Sequence, residues 1–272
     1  MADKRSALKQ GQIAILELLY TYRFGSRQLV AESLGIKAGS SLHEKLEVLI
    51  KHGYIQKRQE KHLKLHGVPA AYYLTPKGLR ALAELPDHGY ITDSVIKASY
   101  KDNSVSQSFV SHTLAVYKYT NLIKRQYPDI KVFGRRDMNR YSYFPSTPPD
   151  AFLSLKIDGI PKRFFLDVIP DSLPRNILDR RITTYGQFFD DGGWDITNSE
   201  LPALLIVAEK GTTERRARRT VRAAFDRLDS DEDIEVYTTT FTALENSDTS
   251  GKVWTSVEEP DELVTLLNIT SS

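Results

Sequence analysis

Between residues 12 and 80 the chain carries three apolar-periodic segments with helix start and stop signals, then two strand-like runs around a basic loop. That order leaves few folds open. The first segment carries Ile13, Leu16, Leu19 and Tyr20. The second starts at Ser26, a residue type that caps helix N-termini, carries Leu29, Val30 and Leu34, and stops at Gly35. The third starts at Ser41, has Glu44 three residues on as a capping box, and stops at Gly53. Ile36-Lys37-Ala38-Gly39 makes the short turn that a helix-turn-helix needs. Tyr54-Ile55-Gln56-Lys57-Arg58 reads as a strand, and Ala71-Tyr72-Tyr73-Leu74-Thr75 as its partner. Pro76-Lys77-Gly78 opens a further helix, with Leu79 and Leu82 facing inward. Strand, basic loop and strand make a wing, so residues 1–85 are expected to fold as a winged helix-turn-helix.

On the third helix, Leu42, Leu46, Leu49 and Ile50 share one face, and His43, Glu44, Lys45, Glu47 and Lys51 the other. The first turn of a recognition helix meets base edges in the major groove, so Ser41, His43 and Lys45 are the candidate base readers. Arg27, Lys57, Arg58, Lys61 and Lys64 are candidates to grip phosphates. Double-stranded DNA is the expected partner. The alternatives are a solvated polar face and a winged helix that docks a protein.

The 272 residues, 40% hydrophobic, suffice for two domains with separate cores. There is no cysteine, which excludes disulfides and thiolate metal sites. No apolar run approaches the roughly 18 residues of a membrane helix, and no signal-peptide pattern opens the chain, so a cytoplasmic protein without membrane association is expected. The net charge of +2 conceals an asymmetry: residues 1–85 are net +7, residues 86–219 net +4, and residues 220–272 net −9. A basic N-terminal module fits nucleic-acid contact. The acidic end either solubilises the chain or meets a basic partner.

Residues 86–104 read as a linker: Leu85-Pro86-Asp87-His88-Gly89 breaks the preceding helix and Lys101-Asp102-Asn103-Ser104 is polar. A helix carrying His112 is expected over 105–126, followed by strands over 131–133, 150–157 and 163–168. Then come a helix over 175–189, a strand over 201–208, a basic helix over 213–228 and a strand over 234–238. The basic helix holds Arg215, Arg216, Arg218, Arg219 and Arg222, of which Arg215, Arg216 and Arg219 are further candidates for DNA contact. The whole of 105–272 is expected to form one α/β domain with an acidic C-terminal end.

Asp158-Gly159 is a good hairpin turn, and counting outward from it brings Asp150 and Asp167 opposite each other at one end of the sheet. Paired carboxylates can hold Mg²⁺ or Mn²⁺, which favour oxygen ligands and can activate a nucleophile toward a phosphate. Aspartates at strand ends also occur as plain turn residues.

The winged helix, the helix with His112, Pro149-Asp150, Phe165-Leu166-Asp167-Val168, and the helix with Arg181 and Tyr185 together resemble the replication-relaxation family over about residues 10–210. That family is related to plasmid mobilisation relaxases built on a restriction-endonuclease-like core. The resemblance implies a PD-(D/E)xK-type fold, with Asp150 as first acid, Asp167 as second, and a role in plasmid or mobile-element replication, nicking or transfer. Two positions after Asp167, where such enzymes carry lysine, stands Ile169. The active site is therefore expected to be degenerate. Arg181 (or Arg180) supplies charge but stays protonated, Asp171 is a replacement ligand, and Tyr185 and His112 are either catalytic or structural.

Three functional readings follow. The first is a sequence-specific double-stranded DNA-binding protein of a plasmid or mobile element with a nuclease-like second domain. The second is a relaxase-type nickase using Mg²⁺ or Mn²⁺ at Asp150 and Asp167. The third is an interaction module of a relaxosome or replication complex, motivated by the acidic stretch Asp229-Ser230-Asp231-Glu232-Asp233, with replication or conjugation proteins as partners. A homodimer is compatible with all three.

Overall fold

The structure is a computed structural model that describes residues 8–59, 65, 67–228, 234–248 and 251–269. It divides into two compact units, residues 1–117 and 118–272. Lys61, Lys64 and the acidic stretch 229–233 lie outside the described residues.

In the first unit, helices α1 (Gln10–Tyr22), α2 (Arg27–Ser33) and α3 (Ser40–Lys51) precede strands β1 (Ile55–Arg58) and β2 (Ala71–Leu74) and helix α4 (Pro76–Ala83). Ser26 caps α2 by accepting from Leu29 N–H at 3.2 Å. The capping box expected at Ser41 and Glu44 does not form. The cap of α3 lies two residues earlier, at Gly39, so Ser41 already lies inside the first turn. β1 and β2 pair antiparallel with Ile55 opposite Leu74, and Gly25 makes a separate antiparallel bridge to β2 by exchanging backbone bonds with Tyr72. Leu16, Leu19, Leu42, Leu46, Leu49, Leu79 and Leu82 are all buried, which follows from their helical spacing. Thr75 caps α4, and Gly78 in its first turn is dictated by space: a Cβ there would lie 2.1 Å from the Tyr54 carbonyl oxygen.

Residues 86–104, expected as a linker, fold instead. Helix α5 (Asp93–Ala98) and a 3₁₀ turn over Ser99–Asn103 bury Ile91, Ile96, Ser99 and Asp102. Asp102 is fully buried and accepts from Arg23 Nε at 2.7 Å, a pairing that anchors a segment whose polar composition reads as solvent-exposed. Helix α6 (Gln107–Gln126) contributes Val110 to a small core with Phe24, Ala71 and Tyr73.

The second unit is α+β with one mixed seven-stranded sheet, ordered β3 (Lys131–Gly134), β4 (Ala151–Ile157), β5 (Ile160–Ile169), β6 (Ala203–Ala208), β7 (Val236–Thr240), β8 (Trp254–Ser256) and β9 (Leu263–Val264). β5, β6 and β7 run parallel, and the other neighbours are antiparallel. Parallel neighbours require crossover segments, and helices α8 (Arg175–Asp190) and α9 (Gly211–Leu228) provide them. The short α7 (Arg135–Met138) follows β3, and α10 (Phe241–Glu245) follows β7. Leu178, Ile182, Tyr185 and Phe189 of α8 pack with Ala217, Val221 and Ala224 of α9 onto Phe165, Leu204, Ile206 and Val236 of the sheet. Asp158 and Gly159 both have positive φ, 52° and 86°, as a two-residue type I′ hairpin requires.

The last expected strand, 234–238, is found two residues further on, and two more strands follow it. The acidic end is thus part of the folded sheet: Trp254, Val257 and Leu266 are buried, and their removal from water holds the segment in place.

Candidate functional site

Helix α3 projects Ser41, His43 and Glu44 into solvent, while Lys45 is half-buried with its ammonium end near Gly11 of α1. Arg27, the first residue of α2, and Lys57 on β1 are exposed. Arg58 is half-buried and donates to the Val105 carbonyl at 2.5 Å, so part of its hydrogen-bonding capacity is spent inside the first unit. In the second unit, Arg215 and Arg219 are exposed on the outer side of α9, one helical turn apart. Arg216 on the adjoining side donates to the Asp171 carbonyl at 3.2 Å.

The two acids meet. Ala151 pairs with Leu166, which sets Asp150 opposite Asp167, and Asp150 N–H donates to Asp167 Oδ1 at 3.3 Å. Both side chains are nearly sealed from solvent, at 1% and 4% exposure. Arg135 at the start of α7 donates to Asp150 Oδ1 at 2.8 Å, and Val168 N–H to Asp150 Oδ2 at 3.0 Å. Arg181 of α8 donates to Asp167 Oδ1 at 2.5 Å and lies 3.8 Å from Asp150 Oδ2. Tyr185, one turn further along α8, donates its hydroxyl to Asp167 Oδ2 at 3.0 Å. All four carboxylate oxygens therefore have donors, and two carboxylates face two guanidinium groups.

The electrostatics follow from burial. Loss of water pushes the Asp167 carboxyl above its ordinary range, Arg181 pulls it back, and the neighbouring Asp150 adds to the rise. Proximity to Asp167 holds the Arg181 guanidinium firmly charged. Tyr185 is fully buried, and burial followed by the Asp167 charge raises its phenol well above the usual value. In this arrangement the Tyr185 hydroxyl is a hydrogen-bond donor to Asp167.

These residues do not fit a divalent cation. Mg²⁺ needs oxygen ligands at about 2.0–2.1 Å in near-octahedral array, and here a guanidinium bridges the two acids. Asp171, the expected replacement ligand, is engaged elsewhere. Its carboxylate accepts from Thr213 at 2.6 Å and pairs with Lys210 at 3.0 Å, and these bonds hold its pKa below the ordinary value. Among the described residues no group of three His, Cys, Asp or Glu side chains is arranged to hold a metal ion. Ile169 is buried in the core. His112 lies half-buried on the part of α6 that belongs to the first unit, whereas the acid pair belongs to the second. Arg180, beside Arg181, is exposed.

Arg135 was missed by sequence reasoning. The pair Arg135-Arg136 directly after a strand was its only signal, and nothing local says which acid it meets.

Comparison with known proteins gives three findings. No curated protein matches the chain by sequence. Solved structures that align include restriction endonuclease FokI at 11% identity and TM-score 0.33, covering 86% of this chain and 43% of that one, and restriction endonuclease FokI bound to DNA at 12% and 0.27, covering 89% and 44%. This chain thus spans less than half the length of either. The family model described as replication-relaxation matches residues 16–203, a span that takes in α2, α3, the β1–β2 hairpin and every member of the acid, arginine and tyrosine cluster. The chain belongs to the replication-relaxation family.

Proposed function

We propose that this protein binds a specific double-stranded DNA site and acts in replication or mobilisation of a plasmid or mobile element, with a nuclease-like second unit that does not cut. Family membership supports the DNA-related role. Residues 1–85 act as a winged helix-turn-helix: α2 and α3 are the motif pair, β1 and β2 the wing, and Ser41, His43 and Lys45 face the major groove. Arg27 and Lys57 hold phosphates, and Arg215 and Arg219 of α9 add further contacts. The observation that carries the non-cutting reading is Arg181. Its charge neutralises the acids that a nuclease would use for a cation, and Ile169 leaves the lysine position apolar.

The test combines binding and cleavage. Duplex affinity is measured across a salt series, where phosphate contacts give a linear fall of log K with log[salt]. Supercoiled plasmid carrying the protein's own locus is incubated with Mg²⁺ or Mn²⁺, with EDTA and Asp150→Ala as controls. Duplex binding without open circles is expected. Metal-dependent circles lost in Asp150→Ala would overturn the non-cutting reading, and absence of duplex binding at low salt would overturn the binding role.

A further inference from the structure

One face of the β3–β4–β5 region carries cations that the acid cluster does not use. Lys131 pairs with Ser154, and Ser154 with Arg163, so Lys131, Arg163 and Lys156 share a face with Phe133, Phe152 and Phe165. Packing with α8 and α9 takes in Phe165 on that face, whereas Lys131 and Lys156 are exposed and Arg163 is half-buried. The loop between α7 and β4 folds back over the same area. Tyr143 is anchored edge-on against Trp194 at 5.8 Å between centroids. Tyr141 stacks on Tyr143 at 5.0 Å and 29°, with 41% of its surface exposed. The Arg140 guanidinium lies 5.5 Å from the Tyr141 ring centroid. Burial and Tyr141 raise the Tyr143 phenol, while Arg163 and Arg140 oppose the rise, so both cations act on the stacked pair.

An anchored ring with a second, partly exposed ring stacked on it and a guanidinium over that ring presents an aromatic and cationic surface, and bases stack on both rings and guanidinium planes. Arg140 and Arg163 beside it, with Lys131 and Lys156 on the same sheet face as Arg163, supply what a phosphate backbone seeks. Bases offer their faces only when unpaired, because in a duplex those faces are stacked within the helix. We propose that Tyr141 and Tyr143, with Arg140, Arg163, Lys131 and Lys156, form a stacking platform for an unpaired DNA strand. Stacking of this kind tolerates any base sequence, since every base has a π face. The choice of DNA over RNA rests on the proposed function; the stacking chemistry does not. Arg163 precedes Asp167 by four residues on β5, about 13 Å along the strand, so a bound strand runs near the acid cluster without needing it for affinity. This activity is separate from duplex recognition by the first unit.

The full-length protein is titrated into fluorescein-labelled oligo(dT) of about 16 nucleotides and followed by anisotropy. Tyr141→Ala is expected to weaken binding about tenfold or more, and Tyr141→Trp to keep or tighten it, because a larger ring stacks as well. Arg163→Gln is expected to reduce the salt slope by about one phosphate contact. Duplex affinity is expected to be unchanged in all three variants, and the exposure of Tyr141 makes misfolding an unneeded explanation, which a thermal melt verifies. The platform is overturned if oligo(dT) does not bind at low salt, or if Tyr141→Ala binds within about twofold of wild type. It is also overturned if an abasic oligonucleotide of equal length competes as well as oligo(dT), since phosphate charge alone would then suffice. Preferential capture of oligo(U) would overturn the assignment to DNA.

Discussion

Replacing Arg181 with methionine isolates the charge that bridges the acid pair. The aliphatic stem is kept, so packing changes little, while the donor at 2.5 Å from Asp167 and 3.8 Å from Asp150 disappears. Arg181 is only 16% exposed and the two acids nearly sealed, so water does not replace the lost partner. Of the two guanidinium groups described above, the carboxylates then keep Arg135. Removing one member of a buried ion pair costs about 3–5 kcal/mol, because the remaining charge is left uncompensated. For a unit of this size that corresponds to a fall in Tm on the order of 10 °C. The pH dependence has a definite sign. Burial already raises the folded-state Asp167 pKa, and without Arg181 it rises further. A group with a raised folded-state pKa stabilises below its unfolded value and loses that contribution as pH climbs through the folded value. The deficit of Arg181→Met is therefore expected to be largest at about pH 8 and to shrink toward about pH 5. Adding Asp167→Asn removes the orphaned charge and is expected to recover more than half of the loss. Thermal and urea melts at both pH values read these differences. A deficit under about 1 kcal/mol, a pH-independent deficit, or strict additivity in the double variant would refute a charge-compensated cluster.

Three further outcomes are expected. Tyr185→Phe removes a hydrogen bond to a carboxylate and should cost about 1.5–3 kcal/mol in a urea melt while leaving duplex affinity intact, whereas lost binding at unchanged stability would give Tyr185 a direct role. Lys57→Ala should weaken duplex binding uniformly across DNA sequences and lower the salt slope by about one, and a change in sequence preference would contradict a phosphate contact. Gly78→Ala places a Cβ 2.1 Å from the Tyr54 carbonyl oxygen and should destabilise the first unit by about 1–3 kcal/mol or more, which an unchanged melt would disprove.

The parts of this fold that were legible in the sequence are those encoded locally. The leucines of α1, α3 and α4 repeat at helical spacing, and Ser26 marks the start of α2 with its own side chain. Asp158-Gly159 tolerates the positive φ of a tight hairpin, so counting from it aligns Asp150 with Asp167. What escaped depends on distant partners. Asp102 looks like a polar linker residue until Arg23, 79 positions away, folds against it. β8 and β9 are three and two residues long, too short to show alternation, although Trp254, Val257 and Leu266 are buried there. At the acid cluster, chain order gave the acids but not the arginines' choice of partner. Arg135 finds Asp150 across 15 residues only because β3 lies beside β4 in the sheet.

The acidic run near the end of the sheet has a meaning apart from any partner. Among the described residues β9 is one of the two edge strands of the sheet, and an open edge offers unpaired backbone donors and acceptors to another copy of the chain. Here the edge is only two residues long, and exposed Glu258, Glu259, Asp261 and Glu262 crowd the connection from β8. Two such edges approaching each other bring like charges together before any backbone bond can form. The negative charge concentrated in this region then works as a guard against strand-by-strand self-assembly, one that high salt would weaken.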